Sequence, residues 1–352
     1  MEPPAGSVRD NRRVGEFELL AKLRERLGDP GPRVLLGSGD DAAVTVPGGA
    51  TATSVDALVE GVHFRRETAT PAQIGHKALA TALSDLAAMA AEPGEAYVVV
   101  GLPEDLGEDD CLRIVDGILA LATRTGTTLA GGDVSRAPVL TLAVTVVGHA
   151  AAAGDFVSRA GAQPGDVLVL TGALGGAAAG LKLLEEPALA DGLAAATAED
   201  LRRRQLEPTP RLASGLALAA AGARAMIDVS DGLGGDAFHL AAASGVRLEI
   251  DAAALPLPPG LAEVAAAAAA EPLPMAASGG EDYELLAALP PERLDEASAR
   301  VVAAGETTLT QIGRAVEGIG VEIRLPGGET LRAAGFDQLG SPACCRQGPK
   351  AP

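Results

Sequence analysis

Acidic residues next to glycine or serine lie at the end of an apolar run, or inside an apolar helix, at six places along this chain. The segments are Gly39-Asp40-Asp41, Ser54-Val55-Asp56, Ser84-Asp85, Gly131-Gly132-Asp133, Asp228-Val229-Ser230-Asp231-Gly232 and Gly279-Gly280-Glu281-Asp282. A fold that gathers such carboxylates must neutralise them, because two unit charges about 4 Å apart repel by roughly 4 kcal/mol at an effective dielectric constant near 20. Ligand sets made only of oxygen favour magnesium or calcium, so the sequence predicts a site for several divalent cations.

The bulk composition limits the classes of protein to which the chain can belong. Its 352 residues suggest two domains or one large one. Hydrophobic residues make up 47% of the chain but aromatic residues only 2%, so alanine, valine and leucine must fill the core. No apolar stretch is long and pure enough to span a bilayer. The first residues contain no hydrophobic signal segment, so we expect neither a membrane protein nor a secreted one.

The net charge of −19 argues against a general nucleic-acid-binding surface, which would need basic patches. It leaves a phosphorylated substrate open, because bound metal can reverse the local field. The three cysteines, Cys111, Cys344 and Cys345, form no C-x-x-C pair and no His/Cys cluster, which argues against zinc. Their small, odd number fits a reducing cytoplasm.

Apolar periodicity predicts an alternation of helices and strands in both halves of the chain. In the first half we predict helices over 16–27, 71–91 and 108–124, and strands over 42–46, 51–55, 96–102 and 139–148, with another ending at Gly131-Gly132-Asp133. The second half reads as α/β with mixed strands. The predicted organisation is a loose segment over 1–14, an N-terminal domain over 15–150, a C-terminal domain over 151–338 and a disordered tail over 339–352.

The strands over 42–46 and 51–55 flank the turn Pro47-Gly48-Gly49 and therefore predict a hairpin. Asp41 and Asp56 would then fall together at its open end, where paired carboxylates suit metal binding. In the second half, the strand AMIDV ends directly at a helix start. Ser230 or Asp231 could simply cap that helix, or its free N–H groups could bind an anion whose cation the aspartates hold.

Several other motifs allow two interpretations. Gly131-Gly132-Asp133 could admit a phosphate close to backbone N–H groups or could be an ordinary turn. The glycine-rich segment that begins at Gly172 lacks the Walker A pattern, and we interpret it as helix–strand packing rather than as a phosphate loop. His63 and Arg159 could each be an ordinary surface residue.

Taken together and in this order, the motifs resemble those of thiamine-monophosphate kinases. The resemblance runs from Gly15 to about Asp337 through GDDAAV, DALVEGVHF, KALATALSDLAAMAAEP, LAGGDVSR, SRAGAQPGD, IDVSDGL and SGGEDYEL. It implies the α/β (α+β), two-domain fold of aminoimidazole-ribonucleotide synthetase-like enzymes. In that fold an N-terminal mixed sheet with helices on one face dimerises into a barrel, and a C-terminal α/β domain follows.

The resemblance also implies an activity: direct, in-line phosphoryl transfer from ATP to thiamine monophosphate, the last step of thiamine diphosphate biosynthesis, in a cytoplasmic homodimer. Since the acceptor is itself a phosphate oxyanion, no general base and no catalytic Ser, Cys or Lys nucleophile is expected, and several Mg²⁺ ions would screen the two polyanions. By resemblance, the residues fall into three groups. They are Asp41, Ser54, Asp56, Asp85, Asp133, Asp228 and Asp231 for magnesium, Gly132, Asp133, Arg159 and Ser230 for ATP, and His63 and Glu281 for thiamine monophosphate.

This chain departs from the family pattern at two positions. Val55 stands where the family commonly has threonine, so one side-chain oxygen is lost beside the metal residues. Ala333 stands where the family often has an aromatic residue, so a wall of the thiamine pocket is absent or is supplied by Phe336. The alternatives are another ATP-dependent enzyme of the superfamily, such as a purine-pathway synthetase, or a non-catalytic protein that binds Mg²⁺ and ATP.

Overall fold

A computed structural model describes residues 16–27, 32–38, 42–305 and 307–331, with side chains from Glu18 onward. The described chain divides into two compact units. The first comprises residues up to Leu86 together with Ala91–Phe156, and the second comprises Ala87–Ala90 together with the residues from Val157 onward. Asp41, Ala333 and the predicted loose segments at 1–14 and 339–352 lie outside the described residues. No helix in the described ranges is both long and apolar enough to cross a bilayer.

The first half of the chain alternates helices and strands. Their bounds are α1 Glu16–Leu27, β1 Val34–Leu36, β2 Val44–Thr45, β3 Ala50–Val59, α2 Pro71–Ala88, β4 Glu92–Leu102, α3 Glu108–Thr125, β5 Thr128–Arg136 and β6 Thr141–Ala150. Among the described residues the main sheet has the strand order β3-β6-β4-β5, in which only the β4–β5 pair is parallel. Helix α3 makes the crossover that two neighbouring parallel strands require.

Side chains alternate between a covered and an accessible face of this sheet. Along β6, Leu142, Val144 and Val146 are buried, whereas the residues between them are only partly buried. Val55 and Val99, at 67% and 45% exposure, lie on the accessible face. The sheet therefore has one face packed against helices and one that is open in a single chain.

Helix α2 begins at a capping box and then stays buried on nearly all sides. Gln73 N–H donates to Thr70 Oγ1 (3.3 Å), and Thr70 N–H donates to Gln73 Oε1 (3.0 Å). Two glycines bring α2 against α3: a methyl group on Gly75 would lie 1.9 Å from the Ile114 carbonyl oxygen, and one on Gly117 would lie 2.0 Å from that of Ala72. The two helices therefore touch backbone to backbone, which no larger residue would permit at these positions.

The second unit is built on a mixed sheet whose central strands are fully buried. The elements are β7 Val167–Thr171, α4 Gly176–Glu185, α5 Ala195–Leu206, α6 Leu212–Ala220, β8 Ala225–Val229, α7 Leu233–Ser244, β9 Arg247–Asp251, α8 Leu261–Ala267, α9 Pro272–Ser278, β10 Glu284–Leu289, α10 Leu294–Ala303, β11 Leu309–Val316, β12 Gly320–Arg324 and β13 Thr330–Leu331. The strand order is β13-β12-β9-β11-β7-β10-β8. Leucine, isoleucine, valine and many alanines from both the strands and the helices form its core. The fold class predicted from the sequence is confirmed.

Two local predictions were wrong. Strands β2 and β3 do not form a hairpin in the described part of the chain, because β2 pairs with β1 and β3 pairs over its whole length with β6. A hairpin of β2 and β3 therefore gives no reason to expect Asp41 beside Asp56. Strand β5 does not end at Gly131-Gly132-Asp133 but continues to Arg136, because β4 provides a parallel partner along its length.

Candidate functional site

Ser54 and Asp56 lie on the helix-covered side of β3, since both alternate with more exposed neighbours along the strand. Ser54 Oγ donates a hydrogen bond to the carboxylate of Asp85, which α2 carries over this face. Asp56 Oδ1 accepts from its neighbour, Ala57 N–H (2.7 Å). Two residues of strand rise separate Ser54 from Asp56, about 7 Å. The structure thus brings Ser54 and Asp85 into contact and places Asp56 on the same face.

Asp133 lies elsewhere on this sheet. The register places Asp56, Val144, Val98 and Gly132 in one row across the strands, so Asp133 belongs to the next row and the opposite face. Three strand spacings separate β3 from β5, about 14 Å. Asp133 is exposed beside the half-exposed Val99. Within one chain, the sheet does not bring Asp133 to Ser54 and Asp85.

Gly132 is required by the sheet rather than by an open turn. A methyl group there would lie 2.0 Å from the Val98 carbonyl oxygen, which leaves no room for a side chain. The interpretation of these glycines as turn residues was therefore wrong.

His63 lies in the turn that follows β3, and a neighbouring backbone group determines the tautomer of its ring. Val59 N–H donates to His63 Nδ1 (3.0 Å), so in the neutral ring the proton lies on Nε2, which is then a hydrogen-bond donor. Lys77, a buried residue of α2, donates from Nζ to the His63 carbonyl oxygen (3.3 Å). Sequence reasoning missed Lys77, although a lysine between the apolar residues Ile74 and Ala78 was a visible signal.

In the second unit, the turn between β8 and α7 brings carboxylates together. Asp228 is 4% exposed at the end of β8, and Asp231 follows the strand. Asp236, on α7, accepts hydrogen bonds at Oδ2 from the N–H groups of Ser230 and Asp231 (3.0 Å each). Burial, and after it the negative charges of Asp228 and Asp231, raise the pKa of Asp236 to about 7, although the two N–H groups oppose the rise.

This cluster fits a hard divalent cation, since it offers only oxygen atoms and gathers several carboxylates. Sequence reasoning missed Asp236. Its position five residues after Asp231, in a first helical turn, was the available signal. Among the described residues, no three His, Cys, Asp or Glu side chains are already arranged as a metal-binding group.

The loop before β10 runs alongside this turn. Glu281 N–H donates to the Ser230 carbonyl oxygen (2.8 Å), and Tyr283 N–H donates to that of Val229 (2.9 Å). Glu281 and Tyr283 both adopt left-handed backbone conformations, with φ of 67° and 51°. The two loops are therefore joined through their backbones, and Ser230 and Glu281 are neighbours.

Asp282 resolves the ambiguity of the glycine-rich segment after β7. Its carboxylate accepts from Gly175 N–H (2.6 Å) and from Ala177 N–H (3.0 Å) at the start of α4. Burial raises the pKa of Asp282 to about 7, against the effect of these two N–H groups. The positive end of α4 therefore binds a carboxylate of the chain itself, in the place where a phosphate loop would hold phosphate.

Below this loop lies a buried ion pair. Arg211 Nε and Nη2 donate to the Glu284 carboxylate (2.8 and 2.6 Å), and Thr171 Oγ1 donates to the same group (2.7 Å). Arg159, by contrast, is exposed, and its carbonyl oxygen accepts from Ser244 Oγ (3.0 Å). The described contacts thus join Ser230, Glu281 and their neighbours in one network but give the Arg159 side chain no place in it.

Comparison with known proteins identifies the family. Residues 39–150 match the family described as AIR synthase related protein, N-terminal domain, and residues 163–325 match the corresponding C-terminal domain. A thiamine-monophosphate kinase from Mycobacterium tuberculosis is 37% identical over 337 residues, which cover 94% of this chain and 93% of that protein. The chain belongs to the thiamine-monophosphate kinase family.

Further relatives and solved structures support the same family assignment. The thiamine-monophosphate kinase of Escherichia coli K12 is 39% identical over 78% of this chain and 83% of its own length. The crystal structure of thiamine-monophosphate kinase from Stenotrophomonas maltophilia K279a superposes with a TM-score of 0.79 at 38% identity, covering 91% of this chain and 98% of that one. A structure of AaThiL complexed with AMPPCP and TMP has a TM-score of 0.74 at 32% identity, with 93% and 99% coverage. Members of this family are kinases, and so is this chain.

The same fold occurs more widely. The hydrogenase maturation protein HypE in complex with ATP superposes with a TM-score of 0.74 at 21% identity over 93% of this chain and 96% of that one. At that identity the likeness concerns the fold alone. The higher identity to thiamine-monophosphate kinases separates this chain from that branch.

Proposed function

We propose that this chain transfers the γ-phosphoryl group of ATP to thiamine monophosphate and so produces ADP and thiamine diphosphate, the last step of thiamine diphosphate biosynthesis. The observation that carries the proposal is similarity over nearly the whole chain to thiamine-monophosphate kinases, together with the relative solved with AMPPCP, an ATP analogue, and TMP. The reaction joins two phosphates, so its main obstacle is repulsion between polyanions.

We assign magnesium binding to the carboxylates of both units and to Ser54. The set is Asp41, Ser54, Asp56, Asp85, Asp133, Asp228 and Asp231. The contact between Ser54 and Asp85 and the close carboxylates around Asp228 support this assignment, because each groups the oxygen atoms that Mg²⁺ prefers as ligands. When bound, Mg²⁺ screens phosphate charge and orients the reacting groups.

The remaining assignments concern the two substrates. Gly132, Asp133, Arg159 and Ser230 would contact ATP, and the exposed Arg159 guanidinium offers a fork suited to phosphate. His63 would donate from Nε2 to the thiamine monophosphate, a role that its hydrogen bond from Val59 N–H supports. Glu281 would attract the cationic thiazolium ring of the thiamine. No side chain need act as nucleophile, because the acceptor phosphate already carries a reactive oxyanion.

We further propose that the enzyme is a cytoplasmic homodimer in which the accessible sheet face of one chain packs against that of another. The exposure of Val55 and Val99 on that face supports this arrangement. Size-exclusion chromatography with light scattering tests it. A monomer at micromolar concentration, together with full activity, would contradict the dimer.

A chromatographic assay with ATP, Mg²⁺ and thiamine monophosphate tests the activity. We expect equimolar ADP and thiamine diphosphate, and no labelled protein intermediate from [γ-³²P]ATP. Asp228→Asn should lower kcat by orders of magnitude, whereas Asp191→Asn, at an exposed loop position, should leave it unchanged. Failure to form thiamine diphosphate at high enzyme concentration, with consumption of a purine-pathway intermediate instead, would overturn the assignment.

A further inference from the structure

Glu281 occupies a backbone conformation that it would not adopt by itself. Its φ of 67° lies in the left-handed region, which is unfavourable for a residue with a side chain. Glycine would avoid that cost, yet this position carries a glutamate whose neighbours fix it from several sides. The conformation therefore serves the placement of the carboxylate.

The backbone on both sides of Glu281 is anchored. Its own N–H donates to the Ser230 carbonyl oxygen (2.8 Å). The next side chain, Asp282, accepts from two N–H groups at the start of α4. These bonds fix the direction in which the Glu281 side chain leaves the loop, but they do not fix its carboxylate.

The carboxylate is held by Gln205. This residue lies in the last turn of α5, is 4% exposed, and donates from Nε2 to Glu281 Oε2 (2.5 Å). A buried amide needs such a partner, because an unpaired polar group in the interior is costly. The bond joins α5 to the loop across 76 positions of sequence.

The side chain that holds Glu281 is a neutral amide rather than a cation. Gln205 follows three arginines in the sequence RRRQ, and two of them, Arg203 and Arg204, pair with Asp200 instead. A guanidinium at position 205 would hold Glu281 just as firmly but would neutralise it. An amide fixes the carboxylate geometrically and adds no positive charge.

We propose that Gln205 is a positioning residue for the thiamine substrate, which orients the Glu281 carboxylate while preserving its negative charge for a cationic heteroaromatic ring. This inference rests on the proposed function, which assigns Glu281 to thiamine monophosphate. Gln205 itself is placed outside the reacting groups, so its loss should affect recognition of the thiamine substrate and leave nucleotide binding intact.

Two substitutions test the geometric and the electrostatic parts separately. Gln205→Leu keeps the volume and removes the donor. It should raise KM for thiamine monophosphate about tenfold, as expected for the loss of a hydrogen bond to a charged group, with KM for ATP and kcat within twofold of the unaltered enzyme. Gln205→Lys keeps a donor but adds a positive charge, and it should also raise KM for thiamine monophosphate. Gln311→Leu, at an exposed position of β11, is the matched control and should change neither constant.

The outcomes separate this inference from the proposed function. If the unaltered enzyme forms no thiamine diphosphate, the proposed function fails. If it does, but Gln205→Leu leaves KM for thiamine monophosphate within twofold or raises KM for ATP equally, the positioning role is refuted. An unaltered KM for thiamine monophosphate in Gln205→Lys refutes the electrostatic part of the proposal. If Gln205→Leu does not fold, the KM of Gln205→Lys for thiamine monophosphate decides whether the proposal stands.

Discussion

The stability of the second unit should depend on pH through Asp282. This side chain is buried at the start of α4, and burial raises its pKa to about 7 even though Gly175 and Ala177 donate hydrogen bonds to it. In the unfolded chain the same carboxyl ionises near its ordinary value of 3.8. Between these two values the unfolded state releases a proton that the folded state retains, so the free energy of unfolding falls as pH rises.

The size of the effect follows from the two pKa values. One pKa unit corresponds to about 1.4 kcal/mol, so values of 3.8 and about 7 predict a loss of roughly 3 kcal/mol between pH 5 and pH 8. Below about pH 4 both states hold the proton, and above about pH 7 both have released it, so the dependence is confined to that window. Asparagine at this position does not titrate and should abolish this contribution.

Urea unfolding of the unaltered protein and of Asp282→Asn, followed by circular dichroism at pH 5 and pH 8, measures the effect. We expect the free energy of unfolding of Asp282→Asn, minus that of the unaltered protein, to increase by roughly 3 kcal/mol from pH 5 to pH 8. Asp191→Asn at an exposed loop position controls for the general effect of removing a carboxylate. An equal difference at both pH values would mean that the N–H groups of α4 keep Asp282 ionised throughout, and the reasoning from burial would be refuted.

Two further substitutions probe the packing beneath the candidate site. Arg211→Met should lower the free energy of unfolding by about 3–5 kcal/mol in urea titrations, because it leaves the Glu284 carboxylate buried without its bidentate partner; a loss below about 1 kcal/mol would contradict this. Gly132→Ala should lower the melting temperature measured by calorimetry, since its methyl group would meet the Val98 carbonyl oxygen, whereas an unchanged melting temperature would show that β4 and β5 can separate without cost.

The secondary structure was largely predictable because apolar periodicity reports local burial. The helix predicted over 16–27 has those bounds in the structure, and the helix predicted over 108–124 ends only one residue later, at Thr125. The partner of each strand was less predictable, since pairing depends on residues far away in sequence. Strand β3 pairs with β6, about ninety positions later, rather than with the adjacent β2.

The residues of the candidate site could be predicted where they belong to a short sequence motif. They could not be predicted where a single residue reaches the site only through a tertiary contact. Asp228 and Glu281 stand out as acids beside small residues. Gln205 does not, because nothing in the sequence of α5 indicates that its amide will reach Glu281. Such residues become visible only when distant segments are brought into contact.

The glycine contacts between α2 and α3 fix the position of one helix along the other in the first unit. Because Gly75 and Gly117 each accept the backbone of the opposite helix, one helix cannot slide along the other without driving a side chain into a carbonyl oxygen. A slip of one turn would move α2 by about 5.4 Å, more than the length of any hydrogen bond. Asp85 would then be carried away from Ser54. Gly75 and Gly117 thus determine where α2 places the Asp85 carboxylate relative to Ser54, although Asp85 lies about three turns further along the helix than Gly75.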